Sequence, residues 1–114
     1  LMLCTAATFN AADATLAAIS KTELSTANGY TAGGQALTGV LVSVVSTTNA
    51  KFDADDVTWA ATSSGIAAAK AILFNDTDTD DPPVALIDFE GTQTAVAGTN
   101  FLVRWNANGI VLFA

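Results

Sequence analysis

The run Asp76-Thr77-Asp78-Thr79-Asp80-Asp81 is the one stretch of this chain dense enough in ligating side chains to do chemistry. Alternating aspartates can place several carboxylates around a Ca²⁺ ion, which makes Asp76, Asp78 and Asp80 the candidate metal ligands. An EF-hand loop needs glycine at its sixth position and glutamate at its twelfth. Counted from Asp76, those positions hold Asp81 and Ile87, and Pro82-Pro83 interrupts the pattern. A solvated loop of mutually repelling carboxylates explains the run more simply than a metal site.

The other acids are weaker candidates. Asp53, Asp55 and Asp56 cluster beside a turn, where aspartate usually bonds its own backbone. Asp88 and Glu90 share one strand face, the arrangement of a glycosidase pair, but without a recognisable cleft a polar outer face is the better reading. Trp59 and Trp105 could be stacking platforms for sugars, yet each alternates with apolar neighbours as core residues do. Gly33-Gly34 is not followed by the Lys-Ser/Thr of a phosphate loop. The single cysteine, Cys4, sits in the apolar run Leu1-Met2-Leu3-Cys4 and reads as a small buried hydrophobe; no internal disulfide can form. The chain has no histidine, which removes His-dependent triads and the commonest zinc sites. These residues predict no catalytic site and no cofactor.

The elements that would position these residues are short strands. Residues 1–7 read as a strand. Residues 11–22 are alanine-rich, with Leu16, Ile19 and Glu23 at helical spacing, and fit a short helix or an irregular crossing. Asn28-Gly29 and Gly33-Gly34 mark a loop that needs positive φ. Residues 36–45 are the clearest strand, with Val40, Val42 and Val44 on one face and Leu41, Ser43 and Val45 on the other. Residues 50–53 and 57–59 are further short strands. Residues 66–74 are almost continuously apolar and read as a strand whose alanines admit a close layer, with helix as the alternative. Residues 84–90 follow as a strand, and residues 91–98 as a connector. Residues 100–105 and 110–114 flank Asn106-Ala107-Asn108-Gly109 and predict a β-hairpin at a sheet edge. The expectation is an all-β single domain over residues 1–114, a β-sandwich or jelly-roll-like barrel of about seven or eight strands. Its predicted core holds Val40, Val42, Val57, Trp59, Ile72, Ile87, Phe89, Val103 and Trp105.

Composition bounds the partners. The 114 residues are 51% hydrophobic but only 13% charged, so much of the surface must be Thr, Ser, Asn, Gly and Ala. Eleven acids against four bases give a net charge of −7, which disfavours nucleic acid and anionic lipid. No run reaches the roughly 18–20 apolar residues of a membrane helix. The chain begins at Leu1 rather than Met and already reads as a strand, which leads to the expectation of a native N-terminal segment ahead of it.

One resemblance adds to this. The series Asn28-Gly29-Tyr30-Thr31-Ala32-Gly33-Gly34, Phe52-Asp53-Ala54-Asp55-Asp56-Val57-Thr58-Trp59 and Ala71-Ile72-Leu73-Phe74-Asn75-Asp76-Thr77 resembles small virion structural proteins of tailed bacteriophages. Leu86-Ile87-Asp88-Phe89 and the stretch 101–110 continue it in the same order, over nearly all of the chain. The loop at Asp76 to Asp81 is more acidic than the pattern of that family. The resemblance implies a non-enzymatic, self-associating virion protein of the capsid decoration (cement) or head-fibre type. It would bind other virion proteins, the major capsid protein first among them, on the outer surface of the head. A tail or tail-fibre component contacting the host surface is the alternative. A calcium-dependent carbohydrate-binding module using Asp76, Asp78 and Asp80 is a further one.

Overall fold

The computed structural model describes residues 1–113, and among them there is no helix. The strands are β1 (Met2–Thr8), β2 (Ser20–Glu23), β3 (Leu41–Val44), β4 (Ala50–Asp53), β5 (Val57–Ala60), β6 (Ile66–Phe74), β7 (Pro83–Ala95), β8 (Asn100–Val103) and β9 (Val111–Phe113). They form three antiparallel sheets: a four-stranded sheet in the order β2-β1-β6-β7, a three-stranded sheet β3-β4-β9 and a two-stranded sheet β5-β8. The all-β expectation therefore holds. Residues 66–74 are a strand rather than a helix.

Central strands explain the continuous apolar runs. β1 and β6 lie inside the four-stranded sheet, so both of their faces need cover, and both read as apolar without alternation. On one face Leu1, Leu3, Ala71 and Leu73 join Val57, Trp59, Phe101 and Val103 of the β5-β8 pair in the main core cluster. Phe101 and Tyr30 flank Trp59 at ring-centroid distances of 6.3 and 6.2 Å. On the other face Met2, Cys4 and Ile72 pack with Ile19 and Ala7, and Leu16, Phe74 and Leu86 close over them. The segment between β1 and β2 is thus an irregular crossing that caps the sheet, not a helix.

Several expectations need correction. Val40 and Val42 are not core residues: they are 54% and 65% exposed, because β3 is the outer strand of a small sheet that reaches the core through Phe52. Of residues 36–45 only Leu41–Val44 is strand. The predicted 100–114 hairpin does not form. Its turn is present, with the Gly109 N–H donating to the Asn106 carbonyl at 2.8 Å, but β8 pairs with β5 and β9 with β4. Burial decides this: Phe101 and Val103 sit opposite Trp59 and Val57, while Ile110 is tied to Phe52 by an N–H···O bond of 2.8 Å. Ala114 lies outside the described residues. The supposed connector after Glu90 is partly strand: β7 continues to Ala95, bending where Glu90 and Gly91 take φ of 58° and 136°. Of the remaining predicted core, Val57, Trp59, Ile72 and Val103 are buried. Ile87, Phe89 and Trp105 are partly buried against the main cluster. Leu3, Tyr30, Ile66 and Phe101 belong to the core and were absent from that prediction.

Candidate functional site

The acidic side chains do not assemble into a chemical site. Within the loop after β6, Asn75 Oδ1 accepts from Thr77 N and Oγ1, Asp78 Oδ1 accepts from Asp80 N, and the Asp78 carbonyl accepts from Asp81 N. These are local turn bonds of the kind Asn and Asp make in place of a ladder. Among the described residues no group of three or more Cys, Asp or Glu side chains gathers where it could hold a metal ion, so the loop does not bring Asp76, Asp78 and Asp80 together. Asp53 pairs with Lys51 at 2.7 Å and Asp88 with Lys70 at 2.5 Å. Hydrogen bonds from those ammonium groups hold both carboxyls below the ordinary aspartate range. Asp88 and Glu90 are therefore unequal: Asp88 is an ion-pair partner and also accepts the Glu90 N–H at 2.9 Å.

The second aspartate cluster is a brace. Asp55 Oδ2 accepts from Thr38 Oγ1 at 3.0 Å, and the Asp55 carbonyl accepts the Trp105 indole N–H at 3.0 Å. Asp56 Oδ1 accepts the Trp105 backbone N–H at 2.9 Å, and Arg104 approaches Asp56 at 3.5 Å. The residues after β8 are thereby fastened to the start of β5. Trp59, 5% exposed, offers no stacking face, and Trp105 is partly buried against the main cluster with its indole N–H engaged. Cys4 is fully buried, and desolvation first and Glu23 second push its thiol up to about 11, so it is not a nucleophile.

What the fold leaves open is an apolar surface. In β3-β4-β9 the register sets Val42 opposite Phe52 and Phe52 opposite Val111; Val44, Ala50 and Phe113 form the next row. Directly paired residues share a face, so Val42, Val44, Ala50, Phe52, Val111 and Phe113 make one apolar face. Its inner end is anchored, since Phe52 packs on the main cluster. Its outer end is not: Val42 is 65%, Val44 80% and Phe113 55% exposed. Where this face meets the four-stranded sheet lies a cleft of about 590 Å³. Leu37, Val40, Phe52, Leu73, Phe74 and Val84 form its walls, and Asn75, Asp76 and Thr77 its polar rim. The molecule is elongated, 48 × 30 × 26 Å, with a radius of gyration of 14.6 Å. A compact chain of this length would have about 13 Å.

The surface is also free of charge along most of its length. Residues 24–50 contain no Asp, Glu, Lys or Arg, and the nearest charges, Lys51 and Asp53, neutralise each other. Sequence reasoning missed this face because it took an apolar strand to be a buried one. The available signal was the turn Ser46-Thr47-Thr48-Asn49 beside it, whose uncharged residues give a solvent-facing end with no charge to guard it. Comparison with known proteins finds no matching family model, no matching curated protein and no matching solved structure.

Proposed function

We propose that this chain is a structural protein of a tailed-phage particle, of the capsid decoration or head-fibre type, that acts only by binding neighbouring subunits. The observation that carries the binding part of this reading is the apolar face of β3-β4-β9, which ends in solvent at Val42, Val44 and Phe113. Monomeric soluble domains rarely expose apolar patches beyond about 300–600 Å², and larger ones mark sites of association. The sequence resemblance supplies the particle. The charge of −7 supports an outer position, away from packaged DNA, and disfavours nucleic acid and anionic membranes as partners. Major capsid protein is the expected partner, with further copies of the chain beside it. No step of catalysis is assigned: there is no histidine, and the buried Cys4 holds its proton.

Locating the protein in purified heads and tails tests this. Recovery with DNA-free heads, and loss of head stability when the protein is stripped off, is the expected result. Copies recovered only with tails would overturn the head assignment in favour of a tail or tail-fibre component. Calcium titration separates the carbohydrate-binding alternative: submillimolar binding abolished by Asp78→Ala would restore it, and the expected result is no such binding.

A further inference from the structure

We infer that two copies of this chain join edge to edge through β3, antiparallel about a twofold axis at Ser43, so that their three-stranded sheets become one continuous sheet. The inference deepens the docking reading above and rests on its premise that the projecting sheet binds protein.

The edge is open. Among the described residues β3 pairs only with β4, and Leu41, Val42 and Val44 are 57%, 65% and 80% exposed. Sheet edges are normally guarded by charge, proline or a bulge. The run Leu41-Val42-Ser43-Val44-Val45 has neither charge nor proline, and its register with β4 is unbroken.

Backbone direction fixes which groups the edge offers. The Val45 N–H points into the sheet, donating to the Asn49 carbonyl at 2.8 Å, and the Phe52 carbonyl points toward β9, accepting from Ile110. By the alternation of an antiparallel ladder, Leu41 and Ser43 then bond across to Asp53 and Lys51. The N–H and C=O groups of Val42 and Val44 are left facing outward.

A second copy satisfies these groups and the side chains together. The run is symmetric in type about Ser43: Val42 and Val44 flank it, with Leu41 and Val45 beyond. A twofold at Ser43 sets Val42 of one copy opposite Val44 of the other, and Leu41 opposite Val45. Every outward N–H and C=O of Val42 and Val44 then meets its complement. The register keeps apolar residues on the face that already carries Phe52 and Phe113, whereas a shift of one residue would set Val42 against Ser43.

Charge and exposure allow it. Although each copy carries −7, the edge itself is neutral, and the nearest like charges across the axis are the two Lys51, three strand spacings or about 14 Å apart. That exceeds the Debye length of about 8 Å at physiological ionic strength. Val40, Leu41, Val42, Val44 and Val45, each 52–80% exposed, lie on or beside β3, whereas the exposed Leu112 and Phe113 lie on β9 at the far edge of the sheet. The edge-to-edge contact draws on the β3 part of that surface.

The test uses purified protein, so its failure leaves the location of the protein in heads or tails untouched. Sedimentation from about 1 to 100 µM should show a dimer, and Val44→Lys should weaken it about tenfold or more with an unchanged circular dichroism spectrum. Ser43→Cys reads the register directly. On the axis its two Cα atoms fall about 4.5 Å apart, within disulfide reach, and native Cys4 is too buried to compete. Mild oxidation should cross-link Ser43→Cys, whereas Leu41→Cys, whose copies lie about 14 Å apart along the strands, should stay uncross-linked. A wild-type monomer at about 100 µM, a dimer indifferent to Val44→Lys, or equal cross-linking of the two cysteine variants would overturn the inference.

Discussion

Removing one oxygen atom from the core, by Tyr30→Phe, should cost more than any truncation on the exposed β3. The Tyr30 hydroxyl does two jobs. It accepts the Leu3 backbone N–H at 3.1 Å and donates to Glu23 Oε1 at 2.8 Å. Just past the end of β2 the Leu24 N–H still donates to the Leu3 carbonyl at 3.0 Å, and the hydroxyl supplies the acceptor for the Leu3 N–H on the same rung. Glu23 in turn accepts the Gly33 N–H at 2.5 Å, which ties the glycine loop to the same point. Phenylalanine keeps the ring beside Trp59 but leaves the Leu3 N–H buried and unpaired, a loss of about 1–3 kcal/mol. Unfolding entropy of about 2.1 cal/mol/K per residue gives roughly 240 cal/mol/K for a chain of this length. A cost near 2 kcal/mol then lowers the melting temperature by about 8 °C. Urea melts at several temperatures measure it, and the slope with urea should not change, because the fold is the same. A loss under about 0.5 kcal/mol, the level of an ordinary surface substitution, would refute the assignment of that hydroxyl to the ladder.

Two further predictions concern the core. Trp59→Ala should cost about 3–5 kcal/mol by urea unfolding, whereas Val42→Ala, in a residue 65% exposed, should stay within about 0.5 kcal/mol; equal losses would contradict the placement of β3 outside the core. Cys4 should resist alkylation in the native protein and react once it is unfolded. Its thiol, ordinarily at 9.0, is held up to about 11, so above pH 9 the unfolded chain releases a proton that the folded one retains, and stability falls as pH rises through that window. Burial drives the Tyr30 phenol upward as well, so Cys4→Ala should keep only a fall that begins near pH 10. An unchanged alkaline profile in Cys4→Ala would show that the thiol is not what titrates.

Where sequence and structure agree, the reason is that the signal was set by burial on both faces or by strict alternation. Leu1-Met2-Leu3-Cys4 and Ala71-Ile72-Leu73 are apolar throughout, and they are the two inner strands of the largest sheet. Val57 and Trp59 alternate with Thr58 and Ala60, and the buried pair faces Val103 and Phe101. Disagreement begins where the partner of a strand is set by residues far along the chain. The Asn106 to Gly109 turn is real, yet a turn fixes only the chain reversal. Trp105 is held by Asp55 and Asp56 some fifty residues earlier, and Ile110 by Phe52. Glycine misled at Gly91 for a related reason: it permits a bend as readily as an ending, and β7 bends there and continues. Hydrophobicity misled most in β3, where Leu-Val-Ser-Val reads as core. In the structure Phe52 of β4, not the valines of β3, packs against the main core cluster.

The candidate site was illegible for that same reason, and its character follows from it. An apolar strand that the core does not claim must be covered by something else or be a liability for aggregation. This chain segregates its charge along its length: the acids lie at Asp13, Glu23 and from Asp53 onward, while residues 24–50 have none. Repulsion between copies is therefore long-range and general, and the contact surface itself is neutral. Recognition there rests on backbone hydrogen bonds and apolar fit rather than on charge pairing, so adding salt should screen the repulsion without loosening the contact. Binding through this sheet should accordingly hold or strengthen as ionic strength rises, the opposite of what an ion-paired interface would do.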